Sequence, residues 1–172
     1  MRAVTAQLET ASEDADAALK AWLPSPADLL HIAELECVWR AANAGLHPAL
    51  VCAQLAGERL GDWAAAEEVA AGVLGIEAFN PLLRVQALRL LGRAKRELGE
   101  RAAACEAAER AAAEAATARY VWLEMMALGD CLKWMGKEGG KEAEAMRARL
   151  RSVAGKMVAP KKELDGVLGG LL

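Results

Sequence analysis

Apolar residues recur along this chain three and four positions apart, with polar residues between them. That is the period of amphipathic helices, not of strands. The first such run covers roughly residues 2–22, with Val4, Leu8, Ala11, Ala15, Ala18, Leu19 and Trp22 on one face. LPSP then interrupts it. Ser25 suits an N-cap, Pro26 the first helical position, and Asp28 the positive end of the helix dipole. A second helix is expected to run to about Asn43, with Gly45 as its stop. Pro48 opens a third, closed at Gly61, and a fourth runs from near Asp62 to about Leu74, before Gly75. Asn80 and Pro81 repeat the cap-and-proline pair at the start of a fifth, ended by Gly99. Further helices are expected over about 100–116, 119–135 and 140–156. A last short one starts at Pro160, and its tail, GVLGGLL, either seals the final hairpin or frays.

The reversals themselves recur. Gly61 in RLGDW, Gly99 in ELGER and Gly136 in WMGKE stand 38 and 37 residues apart. Self-similarity at that period marks an array of helical hairpins, each touching mainly its neighbours. Short links make successive helices antiparallel and adjacent. The expected pairs are 46–75, 80–116 and 119–156, within a single domain spanning 1–172. Residues 1–45 are an N-terminal helix pair or cap, and 160–172 a C-terminal capping helix or tail. Composition agrees with an all-α chain of about eight or nine helices. Hydrophobic residues make up 55% but aromatics only 4%, because alanine supplies much of the total. Alanine favours helix, and the β-branched residues that strands want are scarce.

The middle pair, ALRLLGRAKRELGERAAACEAAERAAAEA, resembles a tetratricopeptide repeat. The Leu91-Gly92 pair stands in the first helix, Gly99 in the turn seven residues on, and Ala104 and Ala111 where the two helices cross. The first pair adds Trp63 as the turn aromatic and Ala66 as the small crossing residue; the third adds Leu128-Gly129 and Gly136. The chain departs from the family's pattern at Leu88 and Lys95, where aromatics are usual, at Ala116 in place of a closing proline, and at Ala53-Gln54 in place of Leu-Gly. Its period is also longer than the family's 34. The resemblance covers roughly 48–156 and implies a right-handed α-solenoid of antiparallel helix hairpins.

It also implies that the first helix of each pair lines a concave groove. On the fifth helix that face carries Gln86, Arg89, Arg93 and Arg96; on the seventh, Asp130, Lys133 and Trp134; on the third, Val51, Leu55, Glu58 and Arg59. Positions 89, 93 and 96 share one helix face, so three guanidiniums form a stripe matched to carboxylates. Arg93 with Glu97 and Arg96 with Glu100 are also spaced for ordinary surface pairs. Arg89 and Arg93 are like charges one turn apart and want an acid between them. The expected function is a scaffold or adaptor that binds a protein or peptide segment, acidic in character, in this groove. The alternative is a structural subunit or fragment of a larger helical-repeat assembly, stacking through its end helices. Of the five tryptophans, Trp22, Trp39, Trp63 and Trp122 are expected to fill core, and Trp134 is the best candidate for an exposed anchor.

Other functions find little in the residues. Two histidines, three serines and one tyrosine carry no catalytic motif around them, so no enzyme is expected, nor a cofactor or small-molecule substrate. Cys37, Cys52, Cys105 and Cys131 form no CxxC pair; they read as small apolar residues on helices rather than metal ligands or disulfides. Charge is uneven: residues 1–80 carry four basic and twelve acidic side chains, residues 133–162 nine and three. The basic stretch lacks stacking aromatics apart from Trp134, and the net charge is −3, so nucleic acid is an unexpected partner. No run of roughly 20 apolar residues offers a membrane span. The acidic N-terminal residues lack a signal core, which favours the cytoplasm, with a mature organellar protein also compatible.

Overall fold

The computed structural model describes residues 14–21, 23–39, 48–76, 80–136 and 140–156, with the backbone alone for 34–39. All regular structure among them is helical: α1 (14–21), α2 (Pro26–Trp39), α3 (Pro48–Leu60), α4 (Trp63–Leu74), α5 (Pro81–Glu97), α6 (Arg101–Thr117), α7 (Val121–Met135) and α8 (Gly140–Ala154). Most of the expected first helix, the end of the second, the tail helix, Trp22 and His47 lie outside the described residues, as do the side chains of Cys37 and Trp39.

Local chemistry sets the helix boundaries. Ser25 and Asp28 form a reciprocal cap: the Asp28 amide donates to the Ser25 hydroxyl (3.2 Å), and the Ser25 amide donates to the Asp28 carboxylate (3.3 Å). Asp62 accepts from the Ala65 amide at 3.1 Å, and Asn80 from the Leu82 amide at 2.8 Å. Gly61, Gly99 and Gly136 all have positive φ, at 71°, 88° and 64°. At Gly99 the Glu100 amide donates to the Lys95 carbonyl and the Gly99 amide to the Arg96 carbonyl, closing α5 in a Schellman turn. The reversal after α6 has the same bonds, Tyr120 to Ala115 and Arg119 to Ala116, but its left-handed residue is Arg119, at φ 60°. No glycine marks it, so spacing alone started α7 two residues early.

From α2 onward the described helices pack in chain order, except that α2 packs on both α3 and α4. Contacts also skip a helix, α3 to α5 and α5 to α7. The core has two halves joined by α5. Leu83, Ala87, Leu90 and Ala94 join α2, α3 and α4 on one side. Val85 and Leu88 join α6, α7 and α8 on the other. Alanine makes the α6 layer thin: Ala104, Ala107, Ala108, Ala111, Ala112 and Ala115 are all buried. At Gly92 an added Cβ would lie 3.1 Å from the Ala104 carbonyl oxygen, so α5 and α6 meet backbone to backbone. None of the described helices is long and apolar enough to cross a membrane.

Candidate functional site

Alternate helices build one concave cleft. Its lining comes from α3 (Leu50, Val51, Gln54), from α5 and from α7, and encloses about 730 Å³. Gln86, Arg89, Arg93, Arg96, Asp130, Lys133 and Trp134 all lie on its wall. The helical repeat places the α5 set: positions 86, 89, 93 and 96 recur every three or four residues and so face one way. The cleft also takes Leu90, Glu97, Leu123 and Met126, which sequence reasoning missed. The signal for Leu123 and Met126 was available, since they lie eleven and eight residues before Trp134, three and two helical turns.

Cross-helix contacts fix the register. Arg89 on α5 donates to Asp130 on α7 at 2.8 Å and reaches the Met126 sulfur at 3.6 Å. Three residues further along α5, Trp134 covers Gly92. Both helices therefore advance in the same direction along the cleft. On the other side Arg93 pairs with Glu58 of α3, whose carboxylate also accepts from Gln54 at 2.8 Å. The Arg93 guanidinium carbon stands 5.1 Å from the Trp63 ring centre, a cation–π contact.

The charge pairing differs from the sequence expectation. Arg93 does not take Glu97, nor Arg96 Glu100. Arg96 pairs with Glu97 at 2.6 Å, and Glu100 accepts from Lys95, which also holds Glu67 of α4 at 2.6 Å. The reason is supply: flanking helices bring Glu58, Glu67 and Asp130 within reach, so Arg93, Lys95 and Arg89 neutralise across helices, while Arg96 stays with its neighbour Glu97. The acid wanted near Arg89 and Arg93 comes from both sides. The hydrogen bonds that Lys95 donates to Glu100 and Glu67 raise its pKa above the ordinary value.

The predicted α3 face is partly displaced. Val51 lines the cleft, Glu58 meets it only through Arg93, and Leu55 is off its wall. Arg59 turns the other way to bind Asp16 of α1 at 2.7 Å. The tryptophans also differ. Trp134 is half-buried over Gly92, and Trp63 is half-buried against Gly57, where an added Cβ would meet its ring at 2.5 Å. Among the described tryptophans Trp122 is the exposed one, at 46%, and does not line the cleft.

Thus the cations are held unequally. Arg89 and Asp130 are both mostly covered and doubly bonded. Arg93 and Arg96 sit in exposed pairs, each worth about 0–1 kcal/mol. Lys133 is exposed and has no ion pair among the described residues. These three can exchange their present partners, or water, for a ligand's carboxylates at little cost.

Elsewhere, ionic groups act as struts. Arg149 of α8 holds the buried Glu124 of α7 at 2.8 Å and the Ala112 carbonyl of α6 at 3.3 Å. Arg101 donates to the Trp134 carbonyl at 2.6 Å and to that of Met135, covering the negative end of α7. Arg149 is thus tied to Glu124 while its side chain stays exposed, as Arg151 on the same helix also is. Of the cysteines, Cys131 is buried and Cys52 and Cys105 are half-buried. Burial first, then the neighbouring Cys105, holds the Cys131 thiol well above its ordinary pKa. His31 is exposed on α2.

Comparison with family models, curated proteins and solved structures found no match to this chain.

Proposed function

We propose that the chain is a cytoplasmic, non-enzymatic interaction module, a scaffold or adaptor. In this reading it is a tetratricopeptide-like right-handed solenoid of antiparallel hairpins, and the α3–α5–α7 cleft binds a protein or peptide segment of acidic character. One observation carries the reading: seven polar and aromatic residues from two non-consecutive helices share the wall of a single cleft. Two others support the family likeness. Gly92 brings the α5 and α6 backbones together, and Ala104 and Ala111 are fully buried at that crossing.

Charge favours an acidic partner. The lining carries four cations, Arg89, Arg93, Arg96 and Lys133, against two carboxylates, Glu97 and Asp130. Concave walls focus that excess and raise the local concentration of an anion. Helix dipoles account for some of it, since Arg96 and Lys133 stand in last turns where cations are favoured. Arg93, a full turn earlier, is not explained that way. The alternative, stacking through the first and last helices, falls largely on residues outside those described.

The test is an anisotropy titration with a fluorescein-labelled dodecapeptide of glutamate and leucine. Wild type should bind at least tenfold more tightly than Arg93→Glu/Arg96→Glu, with melting temperatures within about 3 °C. Affinity should fall as sodium chloride rises, because exposed charge pairs are screened within about 10 Å at 0.1 M salt. Equal affinity of the two proteins contradicts the proposal.

A further inference from the structure

The cleft is not uniform along its length. Leu50 and Val51 stand in the first turn of α3, and Leu123 and Met126 in the first two turns of α7. Arg93 and Arg96 stand in the last two turns of α5, and Lys133 in the last turn of α7. Since α5 and α7 advance together, these sets lie at opposite ends, one apolar and one cationic. Between them Arg89 and Asp130 neutralise each other. Gln54, whose amide donates to Glu58, and Gln86 lie nearer the apolar end.

We infer that the cleft reads its partner in two halves: a bulky aliphatic or aromatic side chain in the Leu50–Val51–Leu123–Met126 end, and one or more carboxylates at Arg93, Arg96 and Lys133. The inference rests on the peptide-binding reading above and adds to it the polarity and spacing of the ligand. From Met126 to Lys133 is seven residues of helix and from Leu123 ten, about 10–15 Å at 1.5 Å per residue. An extended strand covers that span in about three to five residues. In this reading the segment lies extended along the cleft, so that a few residues join its two ends.

Both halves are needed for a physical reason. The cations are solvated or loosely paired, so carboxylates alone gain little by replacing water and Glu97 there. The apolar end alone gives burial without orientation. Joined by a short extended spacer, the second contact becomes intramolecular and gains from effective concentration.

The experiment is selection of a displayed library of random dodecapeptides on wild type and on Arg93→Glu/Arg96→Glu, followed by titration of the enriched sequences as synthetic peptides. Enriched peptides should pair Leu, Ile, Met or Phe with Asp or Glu three to five positions away. Changing the acids to amides, or the large apolar residue to Ser, should each weaken binding at least tenfold. Met126→Glu should remove the apolar preference while keeping the fold, as judged by melting. Enriched peptides that lack one half, yet still lose binding to Arg93→Glu/Arg96→Glu, overturn the two-ended reading and leave the peptide cleft standing. No enrichment on wild type over the double variant overturns both.

Discussion

Trp134 on α7 covers Gly92 on α5. A methyl group added at Gly92 would lie 2.8 Å from the Trp134 ring and 3.1 Å from the Ala104 carbonyl oxygen. The ring can swing aside; the carbonyl belongs to the α6 backbone and cannot. Gly92→Ala gains about 1 kcal/mol of helix propensity, and overpacking costs about 1–3 kcal/mol. The clash should win. Denaturant melts are expected to show a net loss of up to about 2 kcal/mol, with a shift in tryptophan emission as the indole moves. An unchanged or higher midpoint would show that α5 and α6 leave room for a methyl group between them.

The pair between Arg93 and Glu58 competes with any acidic ligand for the same guanidinium. Releasing it should help binding. Exposed pairs are worth about 0.2–1 kcal/mol, which converts to a gain of roughly 1.5- to 5-fold in affinity. Glu58→Gln keeps an acceptor for Gln54 and should bind the glutamate–leucine dodecapeptide tighter by that factor. Weaker binding would place Glu58 itself among the residues that hold the ligand.

Arg119 and Gly99 hold the same left-handed backbone in equivalent turns. An L-residue with a Cβ costs about 1–2 kcal/mol there. Arg119→Gly recovers that cost, less about 0.4–1 kcal/mol for the freer unfolded chain. The expected gain is about 0.5–1 kcal/mol. By the same balance Gly99→Ala should instead lose about 0.5–1 kcal/mol. Thermal melts of the two variants are expected to move in opposite directions.

The buried Cys131 thiol, raised from its ordinary value of 9.0, makes stability depend on alkaline pH. Below pH 9 both folded and unfolded thiols are protonated and nothing changes. Above it the unfolded thiol ionises while the folded one keeps its proton, so stability falls with rising pH. Cys52 is shifted the same way by burial. Lys95 adds to the same limb at higher pH, because the ammonium that Glu100 and Glu67 favour in the folded chain gives up its charge there. Between pH 8 and 10, Cys131→Ala should flatten urea-melt stability by at most about 1 kcal/mol per pH unit. An equal slope in both proteins would mean the thiol reaches water.

Helices and most of their ends were legible because their causes are local. Ser25, Asp62 and Asn80 cap the residues just after them, and Gly61, Gly99 and Gly136 reverse the chain at positions that need a positive φ. The α6–α7 reversal was harder to place because Arg119 takes that conformation without the residue that normally signals it. That the α5 stripe shares one face followed from periodicity; that this face lines a groove was what the family resemblance implied. What spacing could not reveal was partner choice. Arg93 has an acid four residues away but pairs with Glu58, thirty-five residues back, and Arg59 leaves the expected groove face for Asp16. Such pairing depends on how neighbouring helices are set side by side, which no single helix encodes. Trp63 and Trp134 were likewise ambiguous, because the glycines that accept their rings lie on other helices.

The central claim, that the α3–α5–α7 cleft is where a partner segment lies, is tested most directly by photocrosslinking. A benzophenone amino acid placed at Gln54, exposed on the cleft wall, is compared with one at Glu106, exposed on α6 and off that wall. With the labelled glutamate–leucine dodecapeptide present, Gln54 should crosslink and Glu106 should not, and Arg93→Glu/Arg96→Glu should abolish the product. Equal labelling from both positions, or labelling from Glu106 alone, would contradict it.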